Sequence, residues 1–141
     1  MIVVDASVIV KWFVPEVGDG AAKALLSTAD ELMAPELARV EVASALIRKG
    51  LRQQLTGADV EITLRAWFRA LADGDVALLP NEDHIEAAAK LALDMQHPLP
   101  DCLYLAAAER LGVALITADR AFARRAERRS DLVQLLEEAS G

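Results

Sequence analysis

The sequence predicts an α/β fold, a three-layer α/β/α arrangement around a mostly parallel sheet. Two observations carry this expectation. Short apolar, β-rich runs alternate with longer segments whose apolar residues recur every three to four positions, and strands that alternate with helices pair in parallel, with helices on both faces. The alternation runs on with no internal repeat, low-complexity stretch or Pro/Gly/Ser-rich linker, so residues 1–141 read as one domain, long enough for a sizeable core.

The elements follow in order. Residues 1–4 form a buried strand, and 7–14 a short helix ended by Pro15. A helix over 20–29 leads to a short strand, 31–34, stopped by Pro35. The segment 36–49 is a helix ending at Gly50, where a helix terminus favours glycine. Thr56 caps a helix that runs to about residue 72 and carries Trp67 and Phe68. A strand over 76–79 closes at Pro80, and Asn81 caps a helix whose Ile85, Ala88, Ala89, Ala92 and Met95 keep the 3.6 period. HPLP, residues 97–100, is a loop. Then come a helix over 101–111 stopped at Gly112, a strand over 113–117, a helix over 119–128 and a last strand over 132–135.

Composition narrows the class. The chain is 54% hydrophobic and 26% charged, as a soluble globular domain is. No apolar run approaches the ~18 residues of a membrane span. Asp5 sits where the apolar stretch of a secretory signal would be, and no basic segment precedes it. Cys102 is the only cysteine, which excludes an intramolecular disulfide and suits a reducing cytoplasm. The net charge of −7 argues at first against nucleic acid, but it is unevenly spread: RAFARRAERR, residues 120–129, carries +4, leaving −11 on the remainder. Arg120, Arg124 and Arg128 recur at helical spacing with Arg125 and Arg129 beside them, which suits either a solvated helix face or phosphate contacts. Arg48, Lys49 and Arg52 form a second, weaker basic group.

Four acids stand in places that invite explanation. Asp5 interrupts the apolar start MIVVDASVIVKWF, where an ionised carboxylate is costly to desolvate without compensation. Asp119, in LITADRAF, follows its strand as Asp5 follows the first, and Asp101 opens the helix of PDCLYLAAA behind two prolines. Each Asp also suits a helix N-cap. Glu41 lies inside a helix with Leu37 and Ala45 one turn away, so capping does not explain it; an ion pair at the edge of the core is the plain alternative. Ligands of open α/β sheets bind beyond the carboxyl ends of the strands, where Asp5 and Asp119 emerge. Converging carboxylates repel unless a counter-charge is supplied, and hard oxygen donors without paired His or Cys favour Mg²⁺ or Mn²⁺. Ser7 and Thr117 place hydroxyls beside these acids, for a hydrated ion, a phosphate oxygen or the local backbone.

Four stretches, IVVDASVIVKWF, APELARVEVASALIRK, PDCLYLAAAERLG and LITADRAF, spread from residue 2 to residue 122, resemble PIN-domain ribonucleases, specifically VapC-type toxins of toxin–antitoxin pairs. The resemblance implies a parallel sheet in strand order 3-2-1-4-5. It implies hydrolysis of RNA phosphodiester bonds to 5′-phosphate and 3′-hydroxyl ends, with Mg²⁺ or Mn²⁺ held by Asp5, Glu41, Asp101 and Asp119. It also implies a homodimer and a cognate antitoxin that covers the acidic site. The charge pattern adds its own expectation, that RNA approaches along Arg120, Arg124, Arg125 and Arg128 and along Arg48 to Arg52. Some relatives carry a further acid after the last one; here Arg120 to Arg125 follow with none, which leaves one tightly held ion plus a substrate-dependent second as the expectation.

Two rival enzymes fit poorly. A phosphoacceptor receiver domain needs a lysine near its last strand, and none of Lys11, Lys23, Lys49 and Lys90 lies near residues 131–136. A D-x-D phosphatase is disfavoured by Asp5-Ala6-Ser7. The alternative from another class is a PIN-like protein-binding module without catalysis, against which the presence of all four acids argues. His97 reads as an incidental loop histidine, His84 as solvent-facing, Cys102 as a small core residue, and Trp12, Phe13, Trp67 and Phe68 as core or dimer interface.

Overall fold

A computed structural model describes residues 1–28 and 30–136. Its strands are β1 (Ile2–Val4), β2 (Leu32–Pro35), β3 (Ala77–Leu79), β4 (Ala114–Thr117) and β5 (Val133–Leu135). Its helices are α1 (Ala6–Ile9), α2 (Asp19–Leu26), α3 (Leu37–Leu51), α4 (Gly57–Asp73), α5 (Ile85–Met95), α6 (Leu99–Leu111) and α7 (Arg120–Glu127). All five strands are parallel, in the order β3-β2-β1-β4-β5 expected from the resemblance.

The chain winds outward from β1 to β3 and then returns to lay β4 and β5 on the other side. The winding direction therefore reverses between β1 and β4, where such sheets leave a crevice at their carboxyl edge. Val3 and Val4 of β1 are wholly buried and pair with Leu115 and Ile116 of β4, so the crevice rests on the rigid middle of the sheet.

Helix α6 is apolar on every side from Cys102 to Ala108 and packs against β1, β2, β4 and α5, as a helix without a polar face must. The hydrophobic stripe of α3 is Ala38, Val42 and Leu46, at i, i+4 and i+8. Trp67 and Trp12 are buried and donate their indole N–H to Arg39 O (3.1 Å) and Ala22 O (2.9 Å), and Phe13 sits edge-on to both rings. Phe68 is half exposed, outside this cluster.

Several boundaries and environments differ from expectation. The helix drawn over 7–14 is four α-helical residues, Ala6–Ile9, tightened into a 3₁₀ turn, Val10–Trp12. The helix drawn over 20–29 begins at Asp19 and ends at Leu26; residue 29 lies outside the described residues. Asn81 does not cap α5: it opens a 3₁₀ turn, and its Oδ1 accepts from Leu37 N (3.2 Å), capping α3 from 44 positions away. Gly50 does not end α3. Gln53 takes the left-handed position (φ 59°), while a Cβ on Gly50 would lie 2.6 Å from Val60 Cγ2 of α4. His84 is buried rather than solvent-facing, with Nδ1 bonded to Pro80 O at 3.1 Å.

Candidate functional site

One cleft of about 290 Å³ opens at the carboxyl edge of the sheet, and Asp5, Glu41, Asp101 and Asp119 all line it. They arrive from four elements: the end of β1, the middle of α3, the first turn of α6, and the start of α7 beyond β4.

Asp5 stands at the N-cap of α1, yet its side chain makes no capping bond; its backbone O accepts from Val8 N (2.9 Å) and Ile9 N (3.2 Å). The carboxylate is held instead by two hydroxyls: Ser7 Oγ (2.6 Å) and Thr117 Oγ1 (2.8 Å) both donate to Oδ2. Each hydroxyl also accepts a backbone N–H, Ser7 from Ala118 (3.0 Å) and Thr117 from Asp119 (3.1 Å), which fixes where its own proton points. Asp5 Oδ1 accepts nothing from the described residues. Burial pushes the Asp5 carboxyl up to about 6; the two hydroxyls oppose that shift, and the charges of Asp101 and Glu41 add to it.

Asp119 does cap its helix, since Oδ1 accepts from Phe122 N at 3.0 Å, while the residue still lines the cleft. Capping and cleft-lining are compatible because a carboxylate has two oxygens. Asp101 is the third residue of α6 rather than its cap. Pro98 holds the cap position and Pro100 lies within the first turn, where a missing N–H leaves no bond broken. Asp101 Oδ2 lies 2.6 Å from His97 Nε2.

Glu41 sits one position round α3 from its buried stripe, so α3 shows the sheet one face and the cleft the next: Glu41, Ser44, Ala45 and Arg48. Buried Tyr104, three residues after Asp101 on α6, donates its hydroxyl to Glu41 Oε1 at 2.6 Å. Desolvation raises the Glu41 carboxyl above its ordinary value, Asp101 raises it further, and the bond from Tyr104 pulls it down. Cys102 is buried with its thiol pushed up to about 11, first by burial and then by Asp101, which keeps it protonated and inert.

Among the described residues the cleft is lined by the four acids and one cation, Arg48. Among the described residues, no three His, Cys, Asp or Glu side chains stand close enough together to form a ready metal cluster. The arginines of α7 and of the turn after it are partly engaged elsewhere. Arg125 Nη1 donates to Gln96 O (3.0 Å), and Arg129 pairs with Asp94 (3.1 Å). Lys49 of the second basic group pairs with Glu16 at 2.8 Å. Sequence reasoning did not single out Tyr104 as a support for Glu41, nor His97 for Asp101. The spacing from Asp101, three residues on and four residues back, is the signal that points to them.

The family model of the PIN domain matches residues 2–128. Ribonuclease VapC3 of Pyrobaculum aerophilum is 34% identical over 86% of this chain and 92% of its own, and Ribonuclease VapC9 of Mycobacterium tuberculosis is 36% identical over 84% and 86%. The crystal structure of PAE2754 from Pyrobaculum aerophilum superposes with a TM-score of 0.66, covering 96% of this chain and 88% of that one at 19% identity, a likeness of fold. Profile, relatives and strand order agree: this chain belongs to the PIN-domain family, in its VapC group.

Proposed function

We propose that this protein is a metal-dependent endoribonuclease that hydrolyses RNA phosphodiester bonds, the toxin of a toxin–antitoxin pair. The relatives' names supply the activity class. The observation that carries the reading onto this chain is the convergence of four carboxylates, from four separate elements, on one cleft at the sheet's switch point.

The residues fit a hard divalent cation. All four donors are carboxylate oxygens, and buried Asp5, raised by burial and by Asp101 and Glu41, is the kind of group a cation stabilises. Mg²⁺ keeps several waters and binds through one or two carboxylates plus substrate phosphate, so it does not require a closed set of protein ligands. Asp5, Asp101 and Asp119 are the residues that would hold Mg²⁺ or Mn²⁺, with Glu41 at the edge of the set. Once bound, the ion supplies Lewis acidity and neutralises charge on the scissile phosphate.

The chain's own groups do the rest. Ser7 and Thr117 lock Asp5 Oδ2, which leaves Oδ1 for the ion. Tyr104 occupies Glu41 Oε1, so Oε2 is the atom free to take a proton from the attacking water, and the upward shift of Glu41 suits a base working nearer neutral pH. Arg48, on the same wall, is placed to meet a phosphate. Arg120, Arg124, Arg125 and Arg128 extend positive charge outward along α7, a path for the RNA backbone. The same reading makes the protein a cytoplasmic homodimer with a cognate antitoxin.

The test is cleavage of RNA by purified protein with Mg²⁺ or Mn²⁺ and with a chelator, beside Asp5→Asn of unchanged circular dichroism. Metal-dependent cleavage that the variant lacks is expected. Equal cleavage by both proteins, or no cleavage by either, rejects the reading. Sequencing RNA 5′ ends after induction in cells, against Asp101→Asn, then identifies the target.

A further inference from the structure

His97, read from sequence as an incidental loop residue, is held on all sides. It follows Gln96, whose left-handed backbone (φ 52°) turns the chain out of α5, and it precedes Pro98 and Pro100, which restrict the path into α6. Its backbone N–H bonds to Ala92 O (3.1 Å), and its ring lies 5.0 Å from that of Phe122 on α7. The imidazole is largely buried, at 8% exposure.

Its two nitrogens face unlike partners. Arg125 Nη1 lies 3.2 Å from Nδ1 and also donates to Gln96 O. A guanidinium has donors only, so Nδ1 must present its lone pair. The ring proton of the neutral imidazole is then on Nε2, which donates to Asp101 Oδ2 at 2.6 Å. Arg125 thereby selects the tautomer that donates to Asp101, and the placement of the ring puts that bond on Oδ2. Asp101 Oδ1 accepts nothing from the described residues and is left for the cleft.

We propose that His97 is a positioning residue for Asp101, oriented by Arg125, so that a relay from α7 through the 96–98 turn fixes the carboxylate that α6 presents to the cation. This rests on the metal-dependent reading above. It differs from a structural role in what it predicts. Groups that hydrogen-bond a metal ligand typically change metal affinity about 10–100-fold when removed, whereas a ring that only fills space changes stability.

Mn²⁺ is titrated into the metal-free protein and followed by electron paramagnetic resonance, for the unmodified chain, His97→Ala, His97→Gln and Asp5→Asn, with thermal midpoints measured alongside. His97→Ala is expected to weaken Mn²⁺ by about 10-fold. His97→Gln, which keeps an N–H donor near the Nε2 position, is expected to recover most of that. Mn²⁺ affinity in both His97 variants equal to that of the unmodified chain overturns the proposal. An unmodified chain that binds Mn²⁺ no better than Asp5→Asn rejects the metal-dependent reading and this inference with it. Should His97→Ala fail to fold, His97→Gln and the ¹⁵N signals of the unmodified imidazole still decide: a proton on Nε2 is expected, and a proton on Nδ1 overturns the proposal whatever the metal does.

Discussion

Tyr104 Oη donates to Glu41 Oε1 at 2.6 Å, a bond that joins α6 to α3 across 63 positions of sequence. Its length is that of a hydroxyl bonded to an ionised carboxylate. Two helices that carry different acids of the cleft are thus tied at one of those acids, Glu41. The bond also sets chemistry, because it pulls the Glu41 carboxyl down against the larger upward push of desolvation.

Tyr104→Phe removes that downward pull. Glu41 should then titrate higher, and the acidic limb of the pH profile of kcat/KM should move to higher pH, since more of the base is protonated at any given acidity. Stability should fall by about 1 kcal/mol, the usual cost of one missing hydrogen-bond partner where water from the cleft reaches the freed oxygen. A variant with an unmoved acidic limb would separate Glu41 from the proton-accepting role.

Asp5 makes stability depend on pH in a definite direction. Its carboxyl is pushed from 3.8 to about 6, first by burial. The folded protein therefore holds this proton more tightly than the unfolded chain. The resulting stabilisation is fully present below the unfolded value and is lost as pH rises through about 6. It amounts to roughly 3 kcal/mol at about 1.4 kcal/mol per pH unit. Metal-free protein should lose this increment on going from about pH 4 to about pH 7, and added Mg²⁺ should restore stability increasingly over the same interval, because the ion binds the ionised form. Urea midpoints with chelator and with Mg²⁺ across that range check it; a Mg²⁺ gain independent of pH would count against Asp5 as a ligand.

Much of this architecture is legible in the sequence because it is local. Strands of three or four largely apolar residues announce themselves, several of them bounded by Pro or Gly, and Asp5 and Asp119 are conspicuous because they come one and two residues after such strands. Glu41 stands out as an acid on a helical stripe that capping cannot explain. What stayed hidden depends on neighbours distant in the chain. Asn81 looks like the cap of the helix after it and caps α3 instead, since the groups that meet are decided by the β2–β3 pairing. His84 looks polar and exposed, but the backbone carbonyl of Pro80 satisfies it in the interior. His97 acquires meaning only when α7 folds back to bring Arg125 and Phe122 against it.

Gly50 is a further case of local reading overridden, and it is testable. Within α3 an alanine would gain about 1 kcal/mol of helix propensity. A Cβ there would lie 2.6 Å from Val60 Cγ2, and a β-branched side chain has little freedom to turn aside. Overpacking of this kind costs about 1–3 kcal/mol. Gly50→Ala should therefore be net destabilising by about 1 kcal/mol in urea unfolding, and Val60→Ala added to it should recover part of the loss. Stabilisation by Gly50→Ala alone would show that α3 and α4 are not held this close.

Four arginines of α7 and the turn that follows it, Arg124, Arg125, Arg128 and Arg129, divide into two kinds, and RNA binding should distinguish them. Phe122, Ala123 and Ala126 bury one face of the helix. On the other, Arg125 and Arg129 are bonded to Gln96, His97 and Asp94, whereas exposed Arg124 and Arg128 have no ion pair among the described residues. Side chains already committed to the protein contribute less to a phosphate than ones free to reach it. Each phosphate neutralised on single-stranded RNA contributes about 0.7 to the slope of log affinity against log salt. Arg124→Ala with Arg128→Ala, placed in an Asp5→Asn background to prevent cleavage, should weaken binding of single-stranded RNA and flatten that slope by about 0.7 for each phosphate left without its arginine. Arg129→Ala should change it less, because its guanidinium is already partnered by Asp94 at 3.1 Å, whose negative charge also opposes an approaching phosphate. Fluorescence anisotropy over a salt series reads both quantities. An unchanged slope in the double variant would mean that this face of α7 is solvated rather than laid against RNA, and Arg48 in the cleft would remain as the cation that meets the scissile phosphate.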